Sequence, residues 1–369
     1  MLNATDFGLK VNPFEHTTPT PSKDMVWAGM HTHKQAITNI YKQAFHQNAR
    51  QIILNWGPWG GGKTYAAYYF SHNRIASIAQ DEQIRSFWVL TPEDGDKAAL
   101  ELLVNIADAI GWNTLKNTIA ANTISTGTQQ MQMLLYQRTQ SSEFAQAIIK
   151  LCTDTFTTDG FLLAKYFNGS LDKTEKNKYR IARDVKTTQE KLKVIAAILI
   201  AYTQSTLPKR IFIWIDEMEN AIFFTSKQVK EYVQVIRDLA DMVNERITIF
   251  MNVTLAESDE QRVDLLLREA LTTRINRRLR FKDFSMEDAL IYVQELLQAY
   301  QTAPTTNNHF TPFTEEALKQ ILGTIKPDEL VPREINRMLD QVLQFVMKEG
   351  KRVVDIAAVR DFLQSQNEF

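Results

Sequence analysis

The sequence predicts an α/β protein, a parallel-sheet body followed by a small all-helical domain, and three observations predict it. Four short apolar runs, Ile52 to Leu54, Phe87 to Leu90, Arg210 to Ile215 and Ile247 to Val253, read as strands, and the last two have the continuous, β-branched character of strands buried on both faces. Helical periodicity separates them, which is the rhythm of strand-helix-strand units. Beyond Arg280 and Phe281 the strand signals stop, and helix-capping signals recur to the end of the chain.

In order along the chain, Pro13, Pro19 and Pro21 among threonines predict an extended segment over residues 11–27. Ile37, Ile40, Tyr41 and Ala44, at three-and-four spacing, predict a helix from His33 to Ala49. After the first strand a helix runs to about Ile78. Leu100, Leu103, Val104, Ala107 and Ile110 mark another, which Gly111 stops. Residues 113–205 read as mostly helical, with polar breaks at 153–160 and 168–177. Within them Lys173 to Lys193 mixes eight Lys and Arg with several acids, the pattern of a solvated helix face. In the last part Ser285 and Asp288 form a capping box, Thr314 precedes Glu315 and Glu316 at a helix start, and Gly350 follows a helix ending at Lys348.

Composition narrows the class. The 369 residues are 44% hydrophobic and 23% charged, enough for two or three domains with a buried core and unlike a disordered chain. With 42 Lys and Arg against 43 Asp and Glu the net charge is -1, so any nucleic-acid contact has to come from a local patch rather than a global basic field. A single cysteine, Cys152, excludes an intrachain disulfide framework and reads as a small buried apolar residue in a reducing compartment. Residues 1–10 lack a basic stretch followed by an apolar one. The longest apolar run, Ile195 to Tyr202, is far short of the ~20 residues a membrane span needs. The expectation is a cytoplasmic protein without a membrane partner.

The chemistry is concentrated in Gly57, Pro58, Trp59, Gly60, Gly61, Gly62, Lys63 and Thr64, a full Gly-x-x-x-x-Gly-Lys-Ser/Thr phosphate-binding loop between a strand and a helix. That context is required. The strand delivers the chain into a tight turn whose N–H groups ring an anion, and the following helix, with Tyr65 in its first turn, points its positive end at the phosphates. Lys63 would reach the β- and γ-phosphates and the Thr64 hydroxyl would hold Mg²⁺. The expected ligand is a nucleoside triphosphate. A chance glycine-rich turn is the bland alternative, and the strand-helix flanks argue against it.

The strand from Ile211 runs into Asp216 and Glu217, at the carboxyl end where open α/β sheets bind ligands. Asp216 would hold Mg²⁺ or its water shell, and Glu217 would orient and polarise the attacking water. Asn252, near the end of the next strong strand, is a candidate for the γ-phosphate or the lytic water if the two strands are neighbours, with Thr254 as fallback. Six cations, Arg268, Arg274, Arg277, Arg278, Arg280 and Lys282, crowd one stretch. A solvated helix face, stabilisation of a transferring phosphoryl group and contact with a DNA backbone are all open readings.

These features in this order resemble the AAA+ ATPases. The match rests on the phosphate loop, the Asp216-Glu217 pair, the strand ending at Asn252 and the tail segment Pro332-Arg333-Glu334-Ile335-Asn336. The resemblance implies a three-layer αβα domain over residues 1–284, with a helical insertion around 113–205, and a helical lid over 285–369. It implies that Asn252 is sensor 1, that Arg333 is the sensor 2 arginine, and that Arg274, or Arg277 as second candidate, is the arginine finger serving a neighbouring subunit. The opening segment Asn12-Pro13-Phe14 is similar to that of the initiator, origin-recognition and transposition-regulator branches. There it packs near the adenine, which makes Val11 to Phe14 base-pocket candidates.

The implied ligands are ATP and Mg²⁺, and the implied partners are further copies of the chain, double-stranded DNA and a protein effector. The initiator pattern continues into a winged-helix domain, whereas this sequence ends at Phe369 directly after the lid, which weighs against sequence-specific DNA binding. Two functions follow. One is an ATPase assembling into a ring or filament on DNA or a DNA-bound partner; the other is a slow nucleotide-gated switch that recruits a nuclease, a transposase or another effector. A metabolic kinase is disfavoured, because a kinase needs an acceptor pocket rather than a water-activating glutamate. His31 and His33 lack further ligands at metal spacing, and Trp56 and Trp59 read as packing or base-proximal walls rather than a nucleic-acid stacking platform.

Overall fold

The computed structural model describes residues 2–15, 24–46, 50–71, 84–155, 159–205, 209–255, 260–303 and 309–366. The expected helix ends at Ala49 and Ile78, and Pro19 and Pro21, lie outside them. The chain divides into two compact units, one of Thr38–Trp56 with Asn73–Leu279, the other of Met1–Ile37, Gly57–His72 and Arg280–Phe369.

In chain order the elements are α1 (His31–His46), β1 (Gln51–Gly57), α2 (Lys63–Ser71), β2 (Ile84–Leu90), α3 (Ala98–Ile110), α4 (Trp112–Thr126), α5 (Thr128–Thr139), α6 (Ser142–Thr153), α7 (Phe161–Asn168), α8 (Lys173–Tyr179) and α9 (Thr188–Thr203). They continue with β3 (Arg210–Asp216), α10 (Ser226–Val243), β4 (Ile247–Thr254), α11 (Glu260–Thr272), β5 (Arg277–Arg280), α12 (Met286–Tyr300), α13 (Glu315–Leu322), α14 (Pro332–Lys348) and α15 (Ile356–Gln366).

The first unit is built on an all-parallel sheet in the order β2-β3-β4-β1-β5. The strands read from sequence are there because parallel strands covered on both faces must be apolar throughout, and β1, β3 and β4 are buried along nearly their whole length. Alternate residues serve opposite faces. Ile211, Ile213 and Ile215 join one core with α3, α9 and α10. Phe212 faces the other way under Tyr41 of α1, with ring centroids 3.9 Å apart, and Trp214 stacks on Phe250 at 3.9 Å and 5°. Edge strands β2 and β5 are partly exposed. The strand expected at Leu279 to Phe281 lies at Arg277–Arg280, and Phe281 is a buried residue beyond it.

The long helical stretch is a set of six helices, α4–α9. The apolar run Ile195 to Tyr202 lies in its central helix, α9, buried without interruption from Val194 to Thr203, which explains an apolar character with no polar stripe there. The second expected polar break is shorter than read, because Lys173–Tyr179 forms α8, started by a capping box between Asp172 and Glu175. The basic stretch is tied into local ion pairs, Lys176 with Asp184 at 2.7 Å and Arg183 with Glu190 at 2.6 Å, as a solvated face would be. Cys152 is buried. No helix among the described residues is long and apolar enough to cross a membrane.

The second unit holds α12–α15 around an apolar core that includes Leu318, Ile335, Leu339 and Phe362. The Ser285 capping box and the Thr314 cap both form, because each side-chain oxygen accepts from a backbone N–H of the first turn. The opening segment packs here too: Phe7, Leu9 and Phe14 enter the core, and the Asn12 amide donates to Asp340 Oδ1 at 2.6 Å. Residues 11–15 form a turn rather than extended chain. Asn12 Oδ1 accepts from Phe14 N–H at 3.0 Å, an Asx-type contact that bends the chain and folds Phe14 inward.

Candidate active site

The candidate residues fall into one group in each unit. In the helical unit the phosphate loop follows directly on β1. Gly57 (φ 150°) is forced: a Cβ there would lie 2.0 Å from the Phe281 carbonyl oxygen. Gly60 (φ 78°) is forced as well, by the side chains of Val331 and Arg333. The loop closes around Lys63, whose buried ammonium donates to the carbonyls of Gly57 (2.9 Å) and Pro58 (2.7 Å), while Gly61 N–H donates to Pro58 O at 3.3 Å. Gly61 is buried, and Pro58, Gly62 and Thr64 are half-buried.

Tyr65, on the first turn of α2, uses its hydroxyl to hold the carbonyl of Val26. Trp27 then packs edge-on against Tyr65, Tyr69 and Phe70, with its ring centroid 5.1 Å from that of Tyr69. The segment lying along the start of α2 is therefore Val26–Met30. Phe14 is not a base contact. It has no exposed surface and packs edge-to-face on Phe313 at 5.9 Å, so it has no face to offer a ligand.

Arg333 reaches the loop from the start of α14. Pro332 occupies the first helical position, and Arg333 N–H donates to Gly60 O at 3.4 Å. The Arg333 guanidinium lies over the Trp59 indole, 3.8 Å from its centroid, and burial depresses its pKa. Behind the loop, His33 sits 4.7 Å from the Phe281 ring, and its Nε2 bonds the Arg280 carbonyl at 2.6 Å. Burial lowers the His33 pKa, so the ring is neutral and donates from Nε2. His31 instead pairs with Glu295 at 2.7 Å, and no metal-holding cluster of His, Cys, Asp or Glu exists among the described residues.

In the sheet unit, β3 ends at Asp216, buried and held on both oxygens: Trp88 Nε1 donates to Oδ2 at 3.1 Å and Glu217 N–H to Oδ1 at 3.0 Å. Glu217 has left-handed backbone (φ 56°, ψ 38°), which few non-glycine residues adopt and which accompanies functional positions. Burial first, then Asp216, Glu219 and Glu93, raise its carboxyl pKa above the ordinary glutamate value; a hydrogen bond with Asn220 opposes them.

The strand order puts β4 beside β3, and the register pairs Ile215 with Met251, the residues immediately before Asp216 and Asn252. Asn252 is fully buried and accepts at Oδ1 from the Asn55 amide of β1 at 2.9 Å. Thr254 is occupied through its backbone, whose N–H donates to Glu219 Oε2 at 2.9 Å.

The cationic stretch does not act as one patch. Arg274 Nε lies 3.4 Å from Asp241, which also pairs with Arg50, and Arg274 donates to Ala270 O at 3.2 Å. Arg277 bonds Gln43, Arg278 pairs with Asp264, and Arg268 donates to Ser226 O at 2.6 Å from a kink inside α11. Sequence reasoning missed Asn55, Trp88, Glu219 and the Trp59-Arg333 stack. Asn55 did leave a signal, as a polar residue in an apolar strand two positions before Gly57.

The sequence matches no protein-family model and no curated protein. Solved structures do resemble it. The Aeropyrum pernix ORC1 protein, solved in complex with DNA, has a TM-score of 0.51 at 9% identity over 94% of this chain and 67% of that one. The Aeropyrum pernix ORC2 protein, solved as ADPNP-ADP complexes, has a TM-score of 0.50 at 12% identity over 96% and 71%. Cdc6p from Pyrobaculum aerophilum has a TM-score of 0.50 at 10% identity over 99% and 71%. The chain therefore shares the fold of these ORC and Cdc6 proteins, an α/β parallel-sheet domain with a helical domain.

Proposed function

We propose that the chain binds and hydrolyses ATP, assembles with further copies of itself in a nucleotide-dependent way, and acts on DNA or a DNA-bound protein partner. The observation that carries this reading is the Asn55-Asn252 hydrogen bond. It fixes the β4 amide between the strand that enters the phosphate loop and the strand that ends at Asp216. The shared fold supports it, as do the neighbours solved with ADPNP and ADP and with DNA.

In this reading the loop amides and Lys63 bind the phosphates, and the Lys63 contacts with Gly57 and Pro58 keep its charge at the loop. Glu217 orients the attacking water and accepts its proton, a task its raised pKa suits better than an ordinary carboxylate's. Asn252, with its amide oxygen anchored by Asn55, positions the water or the γ-phosphate. The Thr64 hydroxyl and Asp216 are hard oxygen donors of the kind Mg²⁺ takes, and the ion would neutralise charge on the phosphate oxygens. A neighbouring copy supplies Arg274 or Arg277 to the transferring phosphoryl group.

The test compares wild type, Lys63→Ala and Glu217→Gln for ATP binding, turnover and particle mass, with and without duplex DNA. Lys63→Ala should lose ATP binding. Glu217→Gln should keep binding, lose about 10²- to 10⁴-fold in turnover and accumulate as an assembly. Arg274→Ala or Arg277→Ala should lose turnover while retaining ATP affinity. Wild-type protein with no affinity for adenine nucleotides at millimolar magnesium, or strictly monomeric when saturated with them, overturns the reading.

A further inference from the structure

The contact between Trp59 and Arg333 points to a function for a residue that the phosphate-loop motif leaves unspecified. Trp59 is 70% exposed although it sits in the middle of the loop. The guanidinium of Arg333 lies over its indole face, 3.8 Å from the ring centroid. That guanidinium has no carboxylate or hydrogen-bond partner among the described residues. The acid next to it, Glu334, is committed to Arg337 at 2.9 and 3.0 Å. Arg333 also lies in the first turn of α14, the positive end of a 17-residue helix, where a cation is disfavoured. Burial works against its charge as well. A packing role alone accounts poorly for a cation without a counter-ion at such a place.

We infer that Trp59 is a positioning residue for Arg333 and thereby sets how strongly the chain prefers a triphosphate over a diphosphate. A guanidinium stacked on an aromatic face keeps its N–H donors in its own plane, directed outward from the stack and available to phosphate oxygens. The stack fixes that plane at the loop, while the backbone bond from Arg333 to Gly60 fixes the root of the side chain. A lysine would gain little from such a mount, because its ammonium is not planar. Arg333 so held can discriminate a ligand with a terminal phosphate from one without. This rests on the proposed function for nucleotide binding, and on Arg333 contacting the terminal phosphate, the role the resemblance implies for it.

The experiment measures affinity for a non-hydrolysable ATP analogue and for ADP, with magnesium, in wild type, Trp59→Ala, Trp59→Phe, Arg333→Ala and the Trp59→Ala/Arg333→Ala double variant. The readout is the ratio of the two affinities, which general damage to the loop would not move. Trp59→Ala should lower the preference for the triphosphate by roughly 2- to 30-fold, the range a cation-π contact supports. Trp59→Phe should restore most of it, and the double variant should be no worse than Arg333→Ala. A Trp59→Ala protein whose preference is intact while that of Arg333→Ala is lost overturns the inference; so do losses that add in the double variant. If Arg333→Ala leaves the preference unchanged, Arg333 is not a phosphate contact and the inference falls with it. A wild-type chain that binds neither nucleotide is a separate result, which overturns the proposed function itself.

Discussion

The side-chain amide of Asn55 donates to Oδ1 of Asn252 across two neighbouring strands, 2.9 Å apart and without solvent exposure at either residue. Two buried amides inside an apolar sheet carry a desolvation cost that the bond offsets only in part, since Asn55 Oδ1 has no partner among the described residues. Such an arrangement fits a residue whose orientation matters more than stability.

Replacing Asn55 with Ala removes its buried hydrogen bond to Asn252 Oδ1. The expected loss is about 1–3 kcal/mol in denaturant unfolding, with a fall in single-turnover ATP hydrolysis that exceeds any change in ATP affinity. In a double-mutant cycle, Asn55→Ala and Asn252→Ala should couple strongly in hydrolysis. Additive effects would show that the two amides act independently.

Gly57 closes on Phe281, and Gly57→Ala places a Cβ against its carbonyl oxygen at a backbone angle that L-residues rarely adopt. The expected strain is roughly 1–3 kcal/mol or a displaced loop. Thermal unfolding and nucleotide affinity should therefore both suffer. Gly127, with nothing within 4 Å of an added Cβ and φ of 92°, is a control for backbone strain without the clash. Gly127→Ala should be destabilised without losing nucleotide affinity, and equal losses of affinity in the two variants would remove the close approach as the cause.

Much of this was legible in the sequence, and the reasons differ by element. β3 and β4 could be read because strands covered on both faces are apolar along most of their length, and the phosphate loop because its glycines answer to local backbone geometry. The helices α12 and α13 announced themselves through caps, which are contacts within four residues. What was not legible depends on tertiary partners. Phe14 reads as a base-pocket candidate until the helical core is seen to enclose it. Trp88 reads as an ordinary strand residue, yet the register that pairs Leu90 with Asp216 puts it diagonally across from that carboxylate. The α4–α9 segment resisted division because its central helix is apolar all round and α5 carries no charged residue before Arg138.

Glu217 supplies a pH test. Burial and the neighbouring Asp216 and Glu219 raise its carboxyl pKa, so it keeps its proton to a higher pH than a free glutamate. A general base acts only when deprotonated, so hydrolysis should fall as pH drops through that raised value, while ATP binding, which does not use this carboxylate, holds to lower pH. Asp216→Asn removes one of the raising charges and should move the acid limb down, provided the residual activity is followed by single turnover. The stability contribution has the opposite sign to that of an ion-paired acid. The folded chain holds this proton more tightly than the unfolded chain does, so the contribution is present at low pH and is lost as pH rises from the unfolded pKa through the raised one. Glu217→Gln should abolish the acid limb together with the activity and leave the protein less sensitive to pH in that window. A wild-type pH profile flat across the weakly acidic range would show that Glu217 is not the base.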